Sequence, residues 1–220
     1  MSSDIVLSTG EKPDAAVIWL HGLGADASDF PPTVPYLNLD KSLSIKFIFP
    51  NAPEVPVTVN GGWVMRSWYD ILRMGADREI NENDLLASVA RIDQMISNLS
   101  EEGISAERIL LVGFSQGGAV VYEVALSSNQ KMGGVAAMST YLPRPLTRIA
   151  PKAAKSLPIL MLHGEQDDVV YPDLGQRAVD QLLEAGYQPQ THWFPMGHEV
   201  SIESLAVLGR WITQQLTVSR

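Results

Sequence analysis

The 220-residue chain contains no cysteine. Disulfides, thiolate nucleophiles and Cys-ligated metals are thereby excluded. Positive charge is scarce: 16 Lys and Arg stand against 25 Asp and Glu, a formal net charge of −9. Such a chain repels phosphate backbones, and no Lys/Arg cluster offsets the repulsion, so nucleic acid is not an expected partner. No apolar run approaches the ~20 residues of a membrane span, so no integral membrane association is expected. Met1 to Asp14 lack a basic segment followed by an apolar core, so no signal peptide is expected. Internal repeats, low-complexity tracts and linkers are also missing, which suits a single domain over residues 1–220. The lack of cysteine fits the cytoplasm.

What is present is an alternation of apolar runs and helical periodicity. Ala15–Leu20, Ile45–Phe49, Ile109–Val112, Gly134–Met138, Pro158–Leu162 and Thr191–Phe194 read as strands. Leu85, Val89, Ile92, Ile96 and Leu99 recur at spacings of four and three, one face of a long helix that Gly103 ends. Asp173–Ala185 and Ile202–Leu216 read as further helices. Strands separated by helices predict an α/β fold, a mostly parallel central sheet covered on both faces. The segment from Pro53 to Arg78 breaks this rhythm. Val55–Val59 and Trp63–Trp68 flank Asn60-Gly61-Gly62, a hairpin signal. Its content of Trp63, Met65, Trp68, Tyr69, Leu72 and Met74 suits either a small insertion packed on the core or one wall of a binding site. Trp63, Met65 and Trp68 are the candidate substrate-binding residues. Arg66 among them either faces solvent or meets a polar headgroup.

The chemistry centres on Gly113-Phe114-Ser115-Gln116-Gly117-Gly118. An apolar strand precedes it and a helix, Ala119–Ser127, follows. Strand, sharp turn, helix, with Ser at the apex and glycine on both sides, is the arrangement of a nucleophile elbow. A neutral Ser hydroxyl needs a base, and the base an orienting acid. On elbows of this kind the partners follow in the order Ser, acid, His. His21 and His163 precede the candidate acids. His192 lies within a strand, where a half-buried structural role is expected. His198 follows Pro195-Met196-Gly197 on a loop beyond a strand end, where catalytic groups gather in open α/β sheets. Ser115 is thus the expected nucleophile and His198 the expected base. The loop after Leu162 supplies Glu165, Asp167 and Asp168. Neighbours in an extended chain point apart, so only one of the two aspartates can face His198, and spacing alone leaves that choice open. No second His stands at ligand spacing there, so no metal is expected.

An oxyanion needs backbone N–H donors. Gln116, after the nucleophile, supplies one; Leu23, in the Gly-rich loop after the first strand, is expected to supply the other. Gly22-Leu23-Gly24-Ala25-Asp26-Ala27 also matches the dinucleotide fingerprint G-x-G-x-x-A. That reading asks for an acidic residue ~20 positions on, at the end of the second strand. The second strand ends instead at Phe49-Pro50-Asn51, and no nucleotide cofactor is expected.

Taken together, Trp19-Leu20-His21-Gly22-Leu23-Gly24-Ala25-Asp26, Pro50-Asn51-Ala52-Pro53, Ser67-Trp68-Tyr69-Asp70, the Ser115 motif, His163-Gly164 with Asp167, and Gly197-His198 run nearly end to end. They make the chain resemble the phospholipase/carboxylesterase family of α/β-hydrolases, which includes acyl-protein thioesterases and small bacterial carboxylesterases. The resemblance implies an α/β-hydrolase fold and a Ser115, Asp167, His198 triad, since the family's H-G-x-x-D acid falls on Asp167. It also implies Leu23 and Gln116 as oxyanion donors, no cofactor, a cytoplasmic enzyme and a homodimer. The family commonly has Pro directly after the valine of the acid loop; here Tyr171 stands between Val170 and Pro172. The expected activity is hydrolysis of short-to-medium carboxylic esters. Thioesterase or lysophospholipase action on longer acyl chains is the alternative within the family. A non-catalytic binding or interaction protein on the same fold is the alternative outside it.

Overall fold

A computed structural model describes residues 3–75, 78–149 and 152–218. Its centre is a seven-stranded sheet formed by β1 (Ile5–Ser8), β2 (Ala15–Leu20), β3 (Ile45–Phe49), β4 (Ile109–Phe114), β5 (Gly134–Met138), β6 (Ile159–Gly164) and β7 (Gln190–Phe194). The order across the sheet is β1-β3-β2-β4-β5-β6-β7. Only β1 runs antiparallel, pairing Ile5 with Phe49 and Ser8 with Lys46. Four longer helices cover the sheet: α1 (Glu82–Glu101), α2 (Gln116–Ser127), α3 (Pro172–Glu184) and α4 (Ile202–Val218).

The unbroken apolar run of β2 follows from burial on both faces. Ala16, Ile18 and Leu20 pack with α1 and α2. Ala15, Val17 and Trp19 pack with Leu205, Leu208, Trp211 and Ile212 of α4. The alternation is the two-residue period of a strand, and helices on both sides leave no polar face to write into the sequence. In α1, the side chain of Asn81 accepts the N–H groups of Asn83 and Asp84, capping the start. Leu85, Val89, Ile92, Ile96 and Leu99 form its buried stripe. Gly103, at φ +94°, lies just beyond the helix end, where a left-handed residue is needed.

Several features carry no clear sequence signal. β1 is short and mostly exposed, so it carries no alternation to detect. A 3-10 helix occupies Pro31–Leu37. The hairpin is present, but shorter than expected: Glu54–Val57 pairs with Trp63–Arg66, and a 3-10 turn at Thr58–Asn60 closes it. A second small ladder joins Ile71–Arg73 to Glu79–Ile80. No helix among the described residues is long and apolar enough to cross a membrane.

Candidate active site

The chain leaves β2 for β3 on one side and returns at β4 on the other. That reversal opens a crevice at the carboxyl ends of the strands, where ligands bind in open α/β sheets. The loops after β2, β4, β6 and β7 all end there.

Ser115 sits between β4 and α2 with φ +54° and ψ −120°. A β-substituted residue in this region is strained, and its surroundings must hold it. The Ser115 N–H donates to Met138 O at 2.8 Å, and Thr140 Oγ1 donates to Ser115 O at 2.6 Å. The turn leaves no room at Gly117, where a Cβ would lie 2.6 Å from the carbonyl oxygens of both Leu20 and His21. Gly22 has a related constraint, since a Cβ there would press on Phe114 at 3.3 Å and on Ser115 Cβ at 3.4 Å.

Ser115 Oγ lies 2.9 Å from His198 Nε2, and His198 Nδ1 lies 2.8 Å from Asp167 Oδ2. An ionised carboxylate only accepts, so Nδ1 carries the proton and Nε2 is left to accept the Ser115 hydroxyl. The Phe114 ring packs 4.8 Å from the His198 imidazole, centroid to centroid. The other oxygen of Asp167 accepts the N–H groups of Val169 at 3.0 Å and Val170 at 2.8 Å. Burial pushes the Asp167 carboxyl up, but the His198 hydrogen bond, the Val170 N–H, the His198 charge and the Val169 N–H together outweigh it. The net shift is downward, which keeps the carboxylate ionised. Asp168 and Glu165 are exposed, and Asp167 is the member of the trio turned to His198. The extra Tyr171 before Pro172 leaves this geometry intact: Pro172 opens α3 in its first turn.

The other histidines do not reach Ser115, although His163 Nε2 lies 3.6 Å from Asp167 Oδ2. His21 is buried; Nδ1 donates to Gly22 O at 2.7 Å and Nε2 accepts the Ala52 N–H at 3.1 Å. Burial, partly opposed by the Gly22 carbonyl, lowers its pKa and keeps it neutral. His163 is fully buried; its Nε2 donates to Val170 O at 2.8 Å, and burial likewise lowers its pKa. His192 is exposed, not half-buried as expected, because β7 is an edge strand.

Leu23 and Gln116 line the same cavity as Ser115 and His198, of about 210 Å³. Their N–H groups are given to no acceptor among the described residues. For Gln116 that follows from its place in the first helical turn, where N–H groups lack intrahelical partners. The loop carrying Leu23 is pinned by Gly24 N–H donating to Arg66 O at 2.8 Å. No α-helix opens after this loop; the 3-10 turn at Pro31–Leu37 follows, so the helix N-terminus of a dinucleotide site is missing. No group of three or more His, Asp or Glu set to hold a metal occurs among the described residues.

The three aromatic and Met candidates do not line this cavity. Trp63 is 75 % exposed on the hairpin, and Met65 lies behind the loop, its sulfur accepting from Asn60. Trp68 is fully buried, its indole N–H donating to His21 O at 2.9 Å. Arg66 neither faces solvent freely nor lines the cavity; it donates to Ala52 O at 2.8 Å and pairs with Glu54 at 3.7 Å. The insertion contributes Ile71, Met74 and Arg78 instead, joined by Tyr141, Val169 and Val170. No local pattern marks these residues, because distant segments bring them together.

Comparison with known proteins agrees with this architecture. Residues 1–216 match the family model described as Phospholipase/Carboxylesterase. The chain is 36% identical over 213 residues to acyl-protein thioesterase 1 of Neurospora crassa, covering 92% of this chain and 87% of that protein. It is 34% identical over 205 residues to carboxylesterase SOBER1 of Arabidopsis thaliana, covering 91% and 90%. The crystal structure of SOBER1 superposes with a TM-score of 0.85 at 32% identity, covering 92% of this chain and 99% of that one. Zea mays acyl-protein thioesterase 2 shares the fold, with a TM-score of 0.86 at 24% identity over 98% and 100% of the two chains. The chain belongs to the phospholipase/carboxylesterase family, serine hydrolases of the α/β-hydrolase fold.

Proposed function

We propose that the protein hydrolyses short-to-medium-chain carboxylic esters through Ser115, His198 and Asp167 by way of an acyl-enzyme. The observation that carries this reading is the 2.9 Å approach of Ser115 Oγ to an imidazole whose other nitrogen lies 2.8 Å from a buried carboxylate. Ser115 Oγ bonds to the substrate carbonyl carbon while His198 Nε2 takes its proton. Asp167 holds the imidazole tautomer and stabilises the imidazolium. The N–H groups of Leu23 and Gln116 receive the oxyanion. The carbonyl re-forms, the bond to the leaving oxygen or sulfur breaks, and His198 returns the proton to the leaving group. Water, deprotonated by His198, then attacks the Ser115 ester; the bond to Ser115 Oγ breaks, His198 returns the proton to that oxygen, and the acid is released.

A cavity of about 210 Å³ is below the ~300–1,000 Å³ of sites for drug-sized ligands, which favours a short acyl group. Thioester hydrolysis is the second reading, favoured by the names of the thioesterase relatives. The reading treats residues 1–220 as one catalytic domain in a cytoplasmic enzyme, and a homodimer as its assembly, which gel filtration checks. The test is steady-state kinetics with p-nitrophenyl esters of two to twelve acyl carbons beside a matched acyl thioester. Ser115→Ala should lower kcat by roughly 10⁴–10⁶ with the fold unchanged. Near-full activity in that variant contradicts the reading, and no turnover of any of these esters by the wild type favours a binding protein.

A further inference from the structure

We propose that Arg78 binds a carboxylate carried by the substrate, so that the preferred esters hold a second, ionised carboxyl group a few bonds from the scissile carbonyl, as in half-esters of dicarboxylic acids. This rests on the Ser115 hydrolase reading and narrows its substrate class. Arg78 and Ser115 line one cavity. The guanidinium carbon lies 4.2 Å from the centroid of the Tyr141 ring. Tyr141 is itself fixed, its hydroxyl 2.7 Å from that of buried Tyr69. The ring face holds the guanidinium in place by a cation–π contact, which uses none of its N–H donors.

Among the described residues the protein offers the fork one long contact, to Val169 O, and no carboxylate. Arg78 Nε is buried without a hydrogen-bond partner. No ion pair joins Arg78 to an Asp or Glu among the described residues. Its contact with Val169 O, at 3.4 Å, is long for a hydrogen bond. A buried, charged donor left unmet is costly, and a ligand acceptor is one way such a group is satisfied. The neighbouring Ile71 and Val170 are buried and lower the local polarity, which strengthens a pairing made there. Asp29, on the loop after β2, also lines the cavity; the contacts of Arg78 are with Tyr141 and Val169. A chain of net charge −9 repels anions as a whole, so an anionic substrate needs a local cation of this kind. The planar fork suits a carboxylate, which it can hold through two parallel bonds.

The test is the ratio of kcat/KM for mono-p-nitrophenyl glutarate to that for p-nitrophenyl pentanoate, in the wild type and in Arg78→Met. The ratio should fall about tenfold or more in the variant. A ratio within about twofold of wild type, including a uniform loss on both esters, overturns the proposal and leaves Arg78 as a prop for the acid loop. Should Arg78→Met not fold, Arg78→Gln gives the same comparison. Calorimetry of monomethyl glutarate on Ser115→Ala separates the two readings without turnover. Binding that disappears on adding Arg78→Met supports the anion site even if neither ester is hydrolysed. No binding to Ser115→Ala overturns it even if both are.

Discussion

Gln116, which lines the cavity of Ser115, binds the backbone of Trp68 with its side chain. Its Oε1 accepts the Trp68 N–H at 2.8 Å, and its Nε2 donates to Tyr69 O at 2.7 Å and to Ser67 Oγ at 3.0 Å. The residue after Ser115 thus ties α2 to the segment Ser67–Tyr69, whose Trp68 indole in turn holds His21 O. Gln116→Ala orphans the buried Trp68 N–H, whereas Tyr69 O keeps its bond from Ser67 Oγ. The expected cost is about 1–3 kcal/mol, read from urea unfolding. An unchanged unfolding midpoint would show that water or a shift of the segment replaces the amide.

Asp167 and Asp168 separate in one experiment. Asp167→Asn replaces a carboxylate that accepts from His198, Val169 and Val170 with an amide that can impose the wrong imidazole tautomer. A loss of about 10³–10⁴ in kcat is expected. Asp168 is exposed, so Asp168→Asn should leave kcat within about threefold of wild type. A larger loss from Asp168 would assign the acid wrongly.

Why spacing leaves those aspartates unresolved, yet places Ser115 and His198, is a matter of physical range. Strands buried on both faces, such as Ala15–Leu20, announce themselves by unbroken apolar runs, and their ends locate the loops that carry Ser115 and His198. Which of two adjacent carboxylates turns inward depends on the N–H groups of Val169 and Val170, a turn geometry that residue type does not encode. Trp68 is a related case. An aromatic side chain in an insertion can wall a pocket or plug a core, and its indole bond to His21 O makes it a plug. Arg78 and Tyr141 meet only through the fold. β1 shows four residues, three of them exposed, on a sheet edge where hydrophobic pattern is weakest.

Buried neutral histidines set a pH dependence of stability. His21 and His163 both have folded pKa values lowered by burial from the ordinary 6.5. The unfolded chain therefore binds more protons as pH falls below about 6.5, and stability is present above that value and declines toward the lowered folded values. Unfolding free energy, measured in urea from pH 7.5 to 5, should fall with pH. The fall should be shallower in His163→Asn, which removes one of the two groups. An equal slope in that variant would rule out the His163 contribution.

Asp167 acts in a lower window. Its folded pKa is depressed, so its contribution is complete above the unfolded value of about 3.9 and is lost as pH drops through the folded value. In Asp167→Asn the acid limb of stability, below about pH 4, should be less steep than in wild type. A steeper limb would mean that the carboxylate is not favoured in the folded state.

The sharpest measurement is covalent. An active-site fluorophosphonate, followed by intact mass and peptide mapping, should place a single adduct on the peptide bearing Ser115, with labelling slowed at least about 100-fold in His198→Ala. No adduct under conditions that label other serine hydrolases, or an adduct on another residue with Ser115 untouched, would contradict a hydroxyl activated by the His198 imidazole.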